Sequence, residues 1–271
     1  MHARAELPFP HIDPVAFTIG PFQARWYALA YVAGLILAFW YMKRLVRNPA
    51  LWPGKSPAAT PQQIDDLFLW ATLGVILGGR LGYVLFYDPA YFAAHPADIF
   101  KLWQGGMSFH GGFLGVIIAC WTFARWQRLR LDQILDLAAA AVPFGLGLGR
   151  IANFINGELY GRVSDVPWAI VFPEGGPLPR HPSQLYEALL EGLLLFLLGR
   201  IATHRHYALA RPGRVAGLFA LSYGLMRIFV EFFREPDVHI GLIAGFLSRG
   251  MMLSLPMILI GIWLLLRSRR T

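Results

Sequence analysis

Cysteine is almost missing from this chain: Cys120 is the single example among 271 residues. That excludes a disulfide framework and any cysteine-rich metal site. Charge is scarce as well, at 15% of residues against 56% in the hydrophobic set, and acidic residues number 16 against 24 lysines and arginines. With a mean hydropathy of +0.48, this balance excludes an ordinary soluble domain. Neither HxxH nor HExxH spacing occurs, so no metal site is expected, and no GxSxG nucleophile elbow is present. Internal repeats, low-complexity segments and β-barrel alternation are absent too. No removable signal peptide is expected, because the first apolar run begins near Trp26 and is long enough to span.

What remains is a series of long apolar runs. A bilayer core needs roughly 20 apolar residues per helix, and about seven stretches approach that length. The chain therefore reads as an all-α polytopic membrane protein of about seven transmembrane helices in a single domain, with a small outer loop or arm region. Spans are predicted over 26–42, 66–87, from GGMSFHGG to about Phe123, 134–154, from Ser183 onward, 215–233 and 251–266. Four prolines precede Trp26, so the opening segment should lie on the surface. Residues 155–182 form the longest outer segment; within it the proline-bounded run Trp168 to Phe172 suits a small strand or a surface-lying arm.

The net charge of +8 and pI near 9.9 invite a nucleic-acid reading, which the location of the cations argues against. Lys43, Arg44, Arg47 and Lys55 follow the first span, Arg125, Arg128 and Arg130 the third, and Arg200, Arg205, Arg211 and Arg214 the fifth. Arg267, Arg269 and Arg270 close the chain, whereas the intervening loops hold fewer, among them Arg4, Arg25, Lys101 and Arg162. By the positive-inside rule the N-terminus faces out and the C-terminus faces the cytoplasm. The charge is thus a matter of topology and attraction to anionic headgroups, with membrane lipids and not nucleic acid as partners.

Against this apolar background the polar residues stand out. GRIANFINGELYG, at 149–161, places Arg150, Asn153, Asn156 and Glu158 where the fourth span should leave the bilayer. RHPSQLYEALLEG, at 180–192, opens the fifth span with Ser183 as expected N-cap, and its Gln184, Glu187 and Glu191 share one helix face. In the sixth span Tyr223, Arg227, Glu231 and Arg234 recur on one face, and Arg80 sits among glycines in the second. Intramembrane charge is expensive and points to a functional cavity with paired partners. Arginine forks match phosphate oxygens bidentately, with nearby glutamates to hold them. Histidine is the side chain that ordinarily titrates near neutral pH, which makes His110, set among glycines, the candidate general base. His110, Arg150 and Arg227 are expected to face one cavity.

These stretches, in this order, resemble the bacterial prolipoprotein diacylglyceryl transferases over nearly the whole chain. GRIANFINGELYG is similar to the family signature, with Arg150, Asn153, Asn156, Glu158 and Gly161 at its fixed positions; GGMSFHGG, RHPSQLYEALLEG, SYGLMRIFVEFFREPD and the RWY at Arg25 to Tyr27 resemble its other motifs. The last span departs from the pattern, because Met251 follows Gly250 where the family usually has Gln. The resemblance implies a multi-pass transferase domain over residues 1–271, in the bacterial cytoplasmic (inner) membrane, with its active site toward the outer leaflet. The implied reaction moves the diacylglyceryl group of phosphatidylglycerol to the lipobox cysteine of a prolipoprotein signal peptide and releases glycerol phosphate, with no cofactor. His110, Arg150 and Arg227 would be catalytic. Tyr27, Arg80, Asn153, Asn156, Glu158, Gln184, Tyr223, Glu231 and Arg234 would bind or orient substrate. With Cys120 as the one thiol, placed in an apolar span, direct transfer without a covalent enzyme intermediate is expected.

From the residues alone, a phospholipid or anion transporter is the main alternative, since arginines in a membrane cavity also line anion paths. Inverted repeats would favour it, and none is visible.

Overall fold

The computed structural model describes residues 7–10, 12–20, 22–235 and 248–269. Arg4, Arg270 and the last two residues of SYGLMRIFVEFFREPD lie outside the described residues. In chain order the elements are β1 (Leu7–Pro8), β2 (Val15–Ile19), β3 (Phe22–Arg25), α1 (Trp26–Val46), α2 (Pro61–Phe86), α3 (Pro89–Ala94), α4 (Phe109–Trp126) and α5 (Leu131–Ile155). Then follow β4 (Ile170–Val171), α6 (Ser183–Glu187), a π-helical stretch Ala188–Leu194, α7 (Leu195–Arg205), α8 (Arg214–Glu231) and α9 (Arg249–Arg267). The chain is mostly helical, as its long apolar runs require. Four helices, Trp26–Val46, Pro61–Phe86, Leu131–Ile155 and Gly250–Arg267, are long and apolar enough to cross a membrane.

Two compact units divide the chain: residues 1–55 with 135–271, and residues 56–134. In the smaller, α2 starts at a capping box in which Thr60 Oγ1 accepts from the Gln63 amide (3.2 Å) and Gln63 Oε1 accepts from the Thr60 amide (2.9 Å). Its Gly74, Gly78 and Gly82 then meet Gly111, Gly115 and Ala119 of α4 so closely that a methyl group on Gly82 would lie 2.8 Å from the Gly111 Cα. Small residues let helix backbones approach where lipid gives no hydrophobic drive for association.

In the larger unit the same device sets the site. A methyl on Gly34 of α1 would lie 2.9 Å from the Gly145 Cα of α5, and one on Gly192 would lie 2.6 Å from the Gly147 Cα. Thus α5 is pressed against both α1 and the π-helical stretch. The start of α8 is held from α5: Asp136, 1% exposed, accepts the amides of Gly213 (2.7 Å) and Ala216 (2.8 Å). Gly213, at φ +84°, has no side chain to cap the helix itself.

Two local expectations are corrected. Ser183 is not the N-cap: it is the first residue of α6, and its hydroxyl donates to the Leu159 carbonyl at 3.0 Å. Arg234 does not continue the helix face of Tyr223, Arg227 and Glu231, because α8 ends at Glu231 and Arg234 forms an antiparallel bridge with Gly161. Within the opening segment β2 and β3 pair as a hairpin, and β1 pairs in parallel with β4, the small strand expected within Trp168 to Phe172. A cluster of Phe9, Ile170 and Phe172 seals that pairing.

Candidate active site

Arg150 lies one turn beyond Gly147, so the close approach at Gly147 and Gly192 carries its guanidinium to the glutamates beside Gly192. Its Nε stands 3.2 Å from Glu187 Oε2 and its Nη2 3.8 Å from Glu191 Oε2. From α8, Arg227 reaches the same pair: Nη1 donates to Glu187 Oε1 and lies 3.7 Å from Glu191 Oε1. Its Nη2 donates to Glu231 Oε1, one turn along its own helix. Arg234 adds a third guanidinium, 3.4 Å from Glu187 Oε1. Exposure orders these charges: Glu187 and Glu191 are fully buried, whereas the side chains of Arg150 and Arg227 keep 19% and 12% of their surface. The carboxylates form a back wall and the guanidiniums a front edge. That arrangement suits an anion, because the forks arrive already oriented.

A second polar layer comes from the turn after α5. Gly157 takes φ +69°, which no β-carbon favours, and the chain doubles back so that Glu158 covers the helix end. Glu158 Oε1 then accepts from Asn153 Nδ2 (2.8 Å) and Asn156 Nδ2 (3.3 Å), and the Glu158 carbonyl accepts from Gln184 Nε2 (2.6 Å). Tyr27 lies within electrostatic range of Glu158 and Arg150, and Tyr223 within range of Glu191, Arg227 and Arg150. Gly161 donates its amide to the His181 carbonyl (2.8 Å) and Arg162 its amide to that of Phe233 (2.9 Å). The segment after GRIANFING therefore ties the end of α8 to the start of α6.

Tyr27, Arg150, Asn153, Asn156, Glu158, Gln184, Tyr223, Arg227, Glu231 and Arg234 all belong to this unit. His110 and Arg80 belong to the smaller one. His110 is exposed in the first turn of α4, which Ser108 caps by accepting the Gly111 amide at 3.2 Å. Arg80, 5% exposed, spends its donors on main-chain carbonyls: Nε on Ile99 (2.8 Å), Nη1 on Gly105 (2.6 Å) and Gly106 (3.0 Å), and Nη2 on Asp98 and Lys101.

Sequence reasoning missed three contributors. Arg180 pairs with Glu235 at 3.0 Å, donates to the Gly175 and Gly161 carbonyls and lies over the Tyr160 ring, so it braces the segment behind Glu158. Gly250, at the start of α9, abuts the Glu231 carboxylate, which leaves no room for a β-carbon. Met251 beside it is buried at 8% exposure, its amide held by Ser248 Oγ at 3.1 Å. The π-helical stretch carrying Glu191 is the third. A glycine at a helix start gives a weak signal, and π turns have none in sequence, although they recur at functional sites.

Comparison with known proteins gives the family. The profile of the prolipoprotein diacylglyceryl transferase family matches residues 14–267. A phosphatidylglycerol–prolipoprotein diacylglyceryl transferase of Mesorhizobium japonicum is 56% identical over 261 residues, covering 96% of this chain and 91% of that protein. Proteins of the same name from Brucella anthropi and Agrobacterium fabrum are 54% and 55% identical, each over 98% of this chain and 95% of their own length. With Arg150 of the signature set on Glu187 and Glu191 and this similarity running over nearly the whole length, the chain belongs to the prolipoprotein diacylglyceryl transferase family.

Proposed function

We infer that this protein is a transferase that moves the diacylglyceryl group of phosphatidylglycerol onto the lipobox cysteine thiol of a prolipoprotein, the first step of lipoprotein lipid modification. The observation that carries this reading is the front edge of Arg150 and Arg227 over the buried Glu187 and Glu191; the names of the relatives point to the same substrates. The thiolate sulfur bonds to the glyceryl carbon as the bond from that carbon to the phosphate oxygen breaks, and glycerol phosphate leaves. Arg150 and Arg227 grip the phosphodiester and offset the charge that grows on the leaving phosphate. Asn153, Asn156, Glu158, Gln184, Tyr27, Tyr223, Glu231 and Arg234 orient lipid and guanidiniums. His110 is the proposed acceptor of the thiol proton.

Seven crossings are proposed: the four apolar helices together with Phe109–Trp126, the run from Ser183 through Arg205, and Arg214–Glu231. Lys43 and Arg44, Arg125, and Arg267 occupy last helical turns, which supports an outward N-terminus and a cytoplasmic C-terminus. The reaction then takes place toward the outer leaflet of the bacterial inner membrane, where secreted precursors arrive. Purified protein incubated with phosphatidylglycerol and a lipobox peptide should add the mass of one diacylglyceryl group to the peptide cysteine. The reading fails if wild type gives no adduct, or if Arg150→Ala gives as much as wild type.

A further inference from the structure

Of the two fully buried carboxylates behind Arg150 and Arg227, Glu191 is the one that no hydrogen bond holds. Glu191 is fully buried, and neither of its carboxylate oxygens has a hydrogen-bond partner among the described residues. Its nearest cations stand off at 3.7 Å (Arg227) and 3.8 Å (Arg150), in range for attraction but beyond hydrogen-bonding distance. Glu187 and Glu231, by contrast, each accept directly from Arg227. An ionised carboxylate without hydrogen bonds is the costly member of any buried ion cluster.

The titratable and charged groups that face Glu191 are Arg150 from α5, Glu187 at the end of α6, Tyr223 and Arg227 from α8, and Arg234 just beyond, with Glu231 held to the far side of the cluster by Arg227. Three guanidiniums therefore meet three carboxylates, and the cluster is neutral when all are ionised. A phosphodiester brings one more negative charge. On arrival it draws the front edges of Arg150 and Arg227 toward itself and weakens the hold those forks have on the carboxylate behind them. The carboxylate held most loosely is Glu191.

We propose that Glu191 takes up a proton when the phosphodiester of phosphatidylglycerol binds Arg150 and Arg227, and gives it back when glycerol phosphate leaves. Its role is one of positioning and charge balance, since it touches the guanidiniums and not the reacting atoms. The proton comes from solvent and returns there. While it is bound the cluster can hold an anion without an uncompensated buried charge. This matters most at bond cleavage, when the phosphate passes from one negative charge to two and a neutral Glu191 spares it a facing anion. The π-helical stretch Ala188–Leu194, which contains Glu191, is the local feature that presents this side chain beside Gly192 and Gly147.

The proposal rests on the phosphate-gripping reading above and is tested separately from it. Titration calorimetry of the detergent-solubilised full chain with phosphatidylglycerol micelles, in two buffers of different ionisation enthalpy, reads proton uptake directly. Wild type should take up about one proton per lipid bound over the pH range in which Glu191 is ionised in the free protein and protonated in the complex, and its affinity should fall about tenfold per pH unit there. Glu191→Gln, a fixed mimic of the protonated acid, should bind without proton uptake and with an affinity that no longer varies over that range. Binding by wild type with equal heats in both buffers overturns the role of Glu191 and leaves the phosphate grip standing. Unaltered proton uptake in Glu191→Gln overturns it as well. Failure of wild type to bind the lipid at all removes the grip itself, and the proposal with it.

Discussion

Arg80 and Arg227 both sit in the C-terminal third of a long helix, α2 and α8, yet their surroundings differ in kind. Arg80 is enclosed by the carbonyls of Asp98, Ile99, Lys101, Gly105 and Gly106, with its guanidinium over the Phe92 ring. Every nitrogen is engaged, and each partner belongs to the main chain of one loop. Arg227 is held by the side chains of Glu187, Glu191 and Glu231, all behind or beside it. Carbonyl dipoles satisfy a cation and fix a loop, whereas a wall of carboxylates holds a fork in place and leaves an edge for a ligand. Burial alone does not make an arginine part of an anion site; the partners decide.

The sharpest test of that contrast replaces each arginine by lysine, which keeps the charge and loses the planar fork. Arg227→Lys should lower diacylglyceryl transfer by about 100-fold to 1,000-fold, the range seen when one donor to a developing oxyanion is lost, with the protein still folded by thermal melting. Arg80→Lys should lower transfer by much less and instead speed proteolysis within 98–106, because a single ammonium cannot serve carbonyls on all sides. Equal losses of activity with the loop intact in Arg80→Lys would erase the distinction and return Arg80 to the substrate contacts. Glu187→Ala tests the carboxylate side. It strips a shared partner from Arg150, Arg227 and Arg234, so it should destabilise the fold by about 3–5 kcal/mol, as removal of one member of a buried ion cluster does. Denaturation in mixed micelles measures it; a loss no larger than that of an exposed glutamate would show that the cluster is not a unit.

Gly250→Ala refines the comparison at smaller scale. The added methyl would strike the Glu231 carboxylate, so Glu231 must turn and Arg227 loses the partner nearest in sequence. Overpacking of this kind destabilises by about 1–3 kcal/mol. Turnover should fall alongside, while the loop around Arg80, in the other unit, keeps its resistance to proteolysis.

Much of this was legible in the residues because it is written in the two signals a membrane chain exposes best, apolar run length and misplaced polarity. Arg150, Glu187, Glu191, Arg227 and Glu231 follow from spacing on helices whose existence the apolar runs guarantee. Arg80 shows where that logic stops: an intramembrane arginine signals a partner, and sequence cannot say whether the partner is a carboxylate, a ligand or five carbonyls of a glycine-rich loop. The end of α8 shows it again. Periodicity continues past Glu231 to Arg234, but the strand bridge to Gly161 is a contact between positions far apart in the chain. The π turn and the place of Gly250 against Glu231 depend in the same way on packing that no local pattern encodes.

The mildest probe of the comparison is pH, acting on the loop that encloses Arg80. Asp98 supplies that enclosure with its carbonyl, while its carboxylate is clipped by Lys101 Nζ at 2.6 Å and by the Tyr91 hydroxyl at 2.6 Å. The hydrogen bond from Lys101, and then that from Tyr91, hold the Asp98 carboxyl below the ordinary aspartate range. Because the folded value is the lower one, the clip contributes fully above the unfolded value of about 3.9 and is lost as pH falls through the folded value. Amide exchange over 96–106, corrected for intrinsic rates, should therefore rise as pH falls below about 4, while amides around Glu187 are unaffected by this clip. Asp98→Asn should show the higher exchange at every pH and no step in acid. A wild-type loop as well protected in acid as at neutral pH would mean that the carbonyl cage of Arg80 stands without the clip, and that the arginine fixes the loop rather than the loop the arginine.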